Sequence, residues 1–302
     1  MSARNANQRK NWLWRRIGGL VGLTIPVTSS VQSADERRQK INNSKINCSV
    51  ACLGVMDHRF LIDEMKYVNC PGFEFMVYTI WTDHSRDVIR ELKSAGFRFD
   101  SMHGPKHTGR LMSETDSESH EQAYNLIKES VDIAHELNIH ILTTHLWDQN
   151  SNDPKLQRNL DTLYKLKEYA KERDVSISVE FIPHTNGGGY VPTAEYLYNN
   201  LDPDFSFTLD LEFAAWNNEI ADIAKFADRI SNVHIRDYNG SPVDDKGRRH
   251  YCLPGMGKTD FAFAFQELRK HEYKGIYTLE ARHHSTQDIN DSLALIHDAM
   301  GE

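Results

Sequence analysis

The chain has 302 residues, enough for a large core in one barrel-type domain or in two smaller ones. Its hydrophobic (39%) and charged (26%) fractions are ordinary for a soluble globular protein. The net charge of −8 argues against general nucleic-acid affinity, which shows as a basic patch or domain.

Residues 1–34 hold five basic residues (Arg4, Arg9, Lys10, Arg15, Arg16) and no acidic one, so the body is more acidic than the whole. After Arg15-Arg16 come IGGLVGLTIPV and the small polar run TSSVQSA, the order of a secretory signal. The expected organisation is an extension over residues 1–40, a signal or transit segment, followed by one domain over 41–302. Cytoplasmic placement is the expectation, and export through an N-terminal signal in residues 1–34 is the alternative. No stretch approaches the ~20 apolar residues of a membrane span. Cys48, Cys52, Cys70 and Cys252 form no CxxC pair and read as free thiols of a reduced protein.

From about Ile46 onward, short runs rich in Val, Ile, Phe and Thr alternate with longer charged segments of helical period. The strands predicted in chain order are NCSVACLGVM, GFEFMVY, FRFDSMH, IHILTTHLW, VSISVEF, FSFTLDLEF, ISNVHIRDY and GIYTLEA. Between them, SRDVIRELKSAG, SHEQAYNLIKESVDIAHELN, NLDTLYKLKEYAKERD, IADIAKFADR and DFAFAFQELRKHEY read as helices, the first stopped by Gly96. Eight β-then-α units predict an α/β fold of the (β/α)8 TIM barrel type. A doubly wound sheet is the rival, but no GxGxxG follows the first strand and no Walker A motif is present.

Side chains of a strand alternate between faces. Val175, Ile177, Val179 and Phe181 share one face of the fifth strand, and Ser176, Ser178 and Glu180 share the other. The same split sets Asp210 on the sixth strand, His234 on the seventh and Glu280 on the eighth into the inward phase. All four fall at C-terminal strand ends, where barrel enzymes carry their active sites. Three carboxylates converging in a partly buried mouth repel one another unless a cation is present or some are protonated. Two Glu, one Asp and one neutral His make a plausible site for one divalent ion (Mn, Mg, Co or Zn) of catalytic rather than structural type. Ordinary strand-end charges paired with helix residues are the alternative for any one of them.

The string PGMGKTDFAFAFQELRKHEYKGIYTLEAR resembles the closing segment of the xylose-isomerase-like barrel superfamily, in which a Gly-x-Gly-x-x-Asp turn and a Tyr-x-Gly step lead to a strand-eight glutamate. Gly255, Gly257, Asp260, Tyr273, Gly275 and Glu280 are the counterparts here. NVHIRD is similar to the family's His-x-Lys-Asp pattern, with Arg236 in the lysine's place. The resemblance covers roughly residues 46–298.

The resemblance implies a metal held by Glu180, Asp210, His234 and Glu280. It also implies a sugar or sugar-derivative isomerase or epimerase, in which Glu180 and Glu280 transfer a proton through a metal-stabilised enediolate. A dehydratase of the same fold needs the same metal and base and stays open. An endonuclease IV-like zinc phosphodiesterase is a further alternative; the family's Asp-x-x-His reads Asp210-Leu-Glu-Phe213 here, which removes one zinc ligand. A sugar-binding barrel without turnover is disfavoured by the complete ligand set.

His103 and His145 are in inward phase and are expected at the substrate or behind the metal. His184 could reach a sugar hydroxyl, and Arg236 could bind a carboxylate or phosphate or pair with Asp237. Arg282 shares that ambiguity. Trp147 and Trp216 could stack on a sugar or pack under a loop. NGGGY reads as a mobile loop and His250 as a loop or substrate contact. Glu74 and Asp57-His58 are weak pointers to substrate. The expected partner is a small carbohydrate, with no nucleic acid; the family's barrels often pair, so a homo-oligomer is compatible.

Overall fold

The computed structural model describes residues 45–54, 57–76, 84–147, 156–183, 189–241 and 252–301. The expected extension over residues 1–40, His184, most of the NGGGY run and His250 lie outside the described residues.

Eight parallel strands close into a barrel in sequence order: β1 (Ile46–Ser49), β2 (Phe73–Met76), β3 (Phe99–His103), β4 (Ile141–Thr144), β5 (Ser176–Glu180), β6 (Ser206–Asp210), β7 (Ile230–Ile235) and β8 (Ile276–Leu279). β8 pairs with β1 through Ile46–Tyr277 to Cys48–Leu279, which closes the ring. The (β/α)8 barrel expected from alternating element types is therefore the observed fold.

Helices lie between the strands: α1 (His58–Met65), α2 (Ser85–Ala95), α3 (His107–Ser113), α4 (Ser117–Leu137), α5 (Leu156–Lys171), α6 (Tyr190–Asn200), α7 (Leu211–Trp216), α8 (Ile220–Ile223), α9 (Phe261–Lys270) and α10 (Thr286–Met300). Many start on an acceptor side chain that takes an otherwise unpaired N–H. Asp57, Asp116, Asp260 and Ser285 accept from Arg59, Ser119, Phe263 and Asp288. Gly96 ends α2 in the left-handed region at φ 77°. Among the described residues, no helix is long and apolar enough to cross a membrane.

Several predicted strands run past the observed ends, and in two of them a helix takes over. NCSVACLGVM turns into a 3-10 helix at Val50–Leu53, where the Ser49 hydroxyl accepts from the Ala51 N–H. FSFTLDLEF stops at Asp210, whose carboxylate accepts from the Glu212 N–H and starts α7. In both cases a short polar side chain caps a helix where hydropathy alone continued the strand.

The faces of the barrel follow the period-two pattern. Ile177, Val179, Phe207, Leu209, Val233, Ile235 and Leu279 point outward and are buried under the helices. There they meet apolar stripes such as Leu160, Leu163 and Leu166 of α5 and Ala264, Phe265 and Leu268 of α9. Each fully buried side chain of this size contributes roughly 1.5–3 kcal/mol.

The inward face is polar over much of its height. Thr143 and Thr208 hydroxyls lie 2.9 Å apart, Ser178 and Thr208 2.8 Å, Ser231 and Ser178 3.1 Å, and Ser206 and Ser231 2.9 Å. Thr278 donates to the Asn232 side chain at 2.9 Å, and Asn232 donates to Glu74 at 3.0 Å. Every link is a hydrogen bond, which is the condition for burying such groups.

The turn after β7 is organised by Asp237. Its buried carboxylate accepts from the N–H groups of Tyr238 (2.7 Å), Gly255 (2.9 Å), Gly257 (2.8 Å) and Thr259 (3.0 Å). Gly275 sits where a Cβ would stand 2.3 Å from the Ser231 carbonyl oxygen, so β8 can approach β7 only without a side chain there.

Gly275→Ala is expected to destabilise the fold by roughly 1–3 kcal/mol, because the obstacle is backbone. Thermal melting checks this, and an unchanged melting temperature contradicts it. Asp237→Ala takes the shared acceptor from four N–H groups of the turn and is expected to cost about 1–3 kcal/mol in urea denaturation, a larger loss than a surface aspartate would give.

Candidate active site

The C-terminal rim of the barrel gathers the chemistry. Glu180 and Asp210 close β5 and β6, His234 is the penultimate residue of β7, and Glu280 directly follows β8. His103 closes β3 and His145 follows β4. All of these except His145 are fully or almost fully buried.

The ligand atoms of Glu180, His234 and Glu280 lie within 4.8 Å of one another. A second group, His103, His145 and Glu180, satisfies the same limit and shares Glu180. Asp210 stands beside the first group: one carboxylate oxygen caps α7, and the other meets the Arg236 guanidinium directly.

Glu74 on β2 fixes the orientation of His234. A single carboxylate oxygen of Glu74 accepts from Ser101 Oγ, Asn232 Nδ2 and His234 Nε2, each at 3.0 Å. With Nε2 committed to Glu74, His234 turns Nδ1 toward Glu280 Oε2 at 3.2 Å and Glu180 Oε1 at 3.6 Å. Neither that Nδ1 nor that Glu280 oxygen has a hydrogen-bond partner. A carboxylate behind an imidazole, with the opposite nitrogen aimed at two carboxylates, is the usual way a metal-ligating histidine is held.

The charge inventory points the same way. Among the described residues, Glu74, Glu180, Asp210, Glu212 and Glu280 are buried carboxylates, while Arg236 and Lys106 are the arginine and lysine that touch them. Burial opposes ionisation of Glu180, but His145, His103 and His234 outweigh it and hold its pKa well below the ordinary value. Burial likewise opposes Glu280, and Lys106, Arg236 and His234 hold it well below. Burial disfavours the charged form of His234, yet Glu74 and Glu280 raise its pKa well above normal. Acidic ligands held ionised and an excess of negative charge fit a divalent cation.

The other sequence candidates divide. His103 donates Nδ1–H to the Gly104 carbonyl at 2.6 Å, which leaves Nε2 facing Glu180 at 3.3 Å. His145 Nε2 lies 2.6 Å from the same carboxylate oxygen, and burial lowers its pKa despite Glu180. Arg236 pairs with Asp210 and approaches Glu212 rather than binding Asp237, which is engaged with the turn after β7. Trp147 packs in the core with its indole N–H on the Ile182 carbonyl at 3.0 Å. It is a packing residue there, not a face offered to a sugar. Trp216 is part-exposed at the end of α7 and Arg282 is exposed. His58 is buried against Glu91 at 3.0 Å and belongs to the start of α1.

One residue read as a pointer to substrate has another place, and one escapes a reading of strand ends. Glu74, the acid between two phenylalanines in FEFM, stands behind His234. Lys106 lies in the loop after β3 and donates to Glu280 Oε1 at 2.6 Å. α3 holds it there by packing closely: a Cβ on Gly109 would stand 2.5 Å from the Trp147 carbonyl oxygen.

A Haemophilus influenzae protein provisionally named L-ribulose-5-phosphate 3-epimerase SgbU is 21% identical over 237 residues, 72% of this chain and 82% of its own length. Among solved structures, a D-allulose 3-epimerase from Methylomonas sp. superposes with a TM-score of 0.68 at 16% identity, covering 85% of this chain and 98% of its own. The IolI protein, determined with a zinc atom, gives 0.67 at 15% identity over 85% and 98%. At these identities the structural likeness is one of fold. The sequence profile of the xylose isomerase-like TIM barrel family matches residues 62–299, and the chain belongs to that family.

Proposed function

We propose that the protein is a divalent-cation-dependent sugar isomerase or epimerase that moves a proton on a carbon next to a carbonyl. The observation that carries this reading is the convergence of Glu180, His234 and Glu280 at the barrel mouth, with His234 Nδ1 unpartnered and aimed between the two carboxylates. The epimerase names of the relatives support the same reaction class, and the zinc atom of the similarly folded IolI protein is in keeping with a metal here.

Glu180, His234 and Glu280 would hold the cation, with Asp210 as the fourth candidate. When bound, it supplies Lewis acidity to the oxygens of an open-chain sugar. The chain's own residues do the rest. Glu180 and Glu280 approach the space between them from β5 and β8, and a pair of carboxylates on opposite sides of a carbon acid can remove and return its proton. His145 holds Glu180 and Lys106 holds Glu280, so each carboxylate keeps one oxygen committed and presents the other. His145, the less buried of the two histidines on Glu180, would be the one to meet a substrate hydroxyl, since both nitrogens of His103 are engaged.

One observation favours a second reading. His103, His145 and Glu180 form a further ligand group beside the first, as a zinc phosphodiesterase with several ions needs. Phe213 in place of a histidine on α7 counts against it.

Elemental analysis of protein purified without chelator is expected to find about one equivalent of Mn, Co, Mg or Zn. Two or three equivalents of zinc with cleavage of abasic-site DNA would establish the phosphodiesterase instead. Glu280→Gln is expected to reduce turnover and solvent-deuterium incorporation on an aldose and ketose panel by about 10²-fold or more, with the fold retained. Full activity in that variant contradicts the assignment.

A further inference from the structure

Arg236 leaves β7 two residues beyond His234 and in the same phase, so its side chain enters the mouth. It is buried, at 6% exposure. Its Nη2 lies directly against Asp210 Oδ2 and stands 3.9 Å from Glu280 Oε2 and 4.0 Å from Glu180 Oε1. One guanidinium nitrogen therefore faces all three carboxylates of the ligand set. Glu280 Oε2 makes no hydrogen bond and Asp210 Oδ2 meets the guanidinium as an ion pair, so the oxygens this guanidinium faces are the ones a divalent cation would take.

The remainder of the guanidinium has a second place to go. Nε makes no hydrogen bond and stands 3.5 Å from Glu212 Oε2, in the first turn of α7. Phe213 lies alongside, with its ring centre 5.9 Å from the guanidinium carbon. A guanidinium stays charged at any pH the protein meets, so it cannot make way for a metal by losing a proton. It can only move.

We propose that Arg236 is a tethered counter-ion that competes with the divalent cation for Asp210, and that it withdraws toward Glu212 when the cation binds. This rests on the metal-dependent reading above and adds to it. Metal affinity in this chain is then set by the Arg236–Glu212 pair as much as by the ligands. The first turn of α7 serves both ends of that movement: Glu212 receives the guanidinium, and Phe213 gives it an aromatic flank.

The test is calorimetric titration of MnCl2 into EDTA-dialysed wild-type protein, Arg236→Met and Glu212→Gln. Arg236→Met is expected to bind Mn²⁺ about tenfold more tightly or better, since a competing charge pair is gone. Its metal-free form is expected to melt lower than wild type and to recover when Mn²⁺ is added. Glu212→Gln is expected to bind Mn²⁺ several-fold more weakly, because the displaced guanidinium loses its alternative partner. If wild type binds one equivalent and Arg236→Met binds no more tightly, the counter-ion role fails and the isomerase reading stands. If neither wild type nor Arg236→Met binds Mn²⁺ or Zn²⁺, both fail. Should Arg236→Met not fold, an unchanged affinity in Glu212→Gln overturns the proposal by itself.

Discussion

The mouth of this barrel depends on keeping several carboxylates ionised where water is largely excluded. Glu74, Glu180 and Glu280 are all buried, and burial alone would drive each toward its neutral form. Three kinds of partner oppose that tendency. Imidazoles surround Glu180, cationic side chains reach Glu280 and Asp210, and Ser101, Asn232 and the His234 imidazole converge on one oxygen of Glu74. Removing a single partner would leave charge uncompensated, which is far more costly than never having buried it.

The rest of the barrel serves that requirement. An interior packed with aliphatic layers would offer nothing to the carboxylates above it. Here the hydroxyls of Thr143, Ser178, Thr208 and Ser231 and the side chains of Asn232 and Thr278 form a hydrogen-bonded floor. Asn232 joins that floor to Glu74, and Glu74 joins it to His234. The apolar stability comes from outside, where the opposite faces of the same strands pack under helices. One period-two pattern thus separates a stabilising exterior from a reactive interior.

The helix after β6 ties the local backbone to the mouth. Asp210 divides its two oxygens between capping that helix and meeting Arg236. The same residue therefore couples the local backbone turn to the electrostatics of the mouth. Lys106 performs a similar coupling on the other side, since the close packing of α3 at Gly109 carries it to Glu280.

Alternation within VSISVEF, FSFTLDL and IYTLEA, with charged residues at the strand ends, made the barrel, its inward faces and the convergence of Glu180, His234 and Glu280 legible before any coordinates. It also made His103 and His145 legible, because phase is a local property of a strand. Caps were less legible: Ser49 and Asp210 end strands whose hydropathy continues, and a single side-chain hydrogen bond decides the outcome. What only the tertiary structure decided is which charges meet. Glu74 stands behind His234 across 160 residues, and Lys106 reaches Glu280 across 174. Arg236 turns to Asp210 rather than to its neighbour Asp237, which the backbone of the following turn has already engaged. Such pairings follow from barrel closure and loop packing, which act between distant segments, so no local pattern in the chain encodes them.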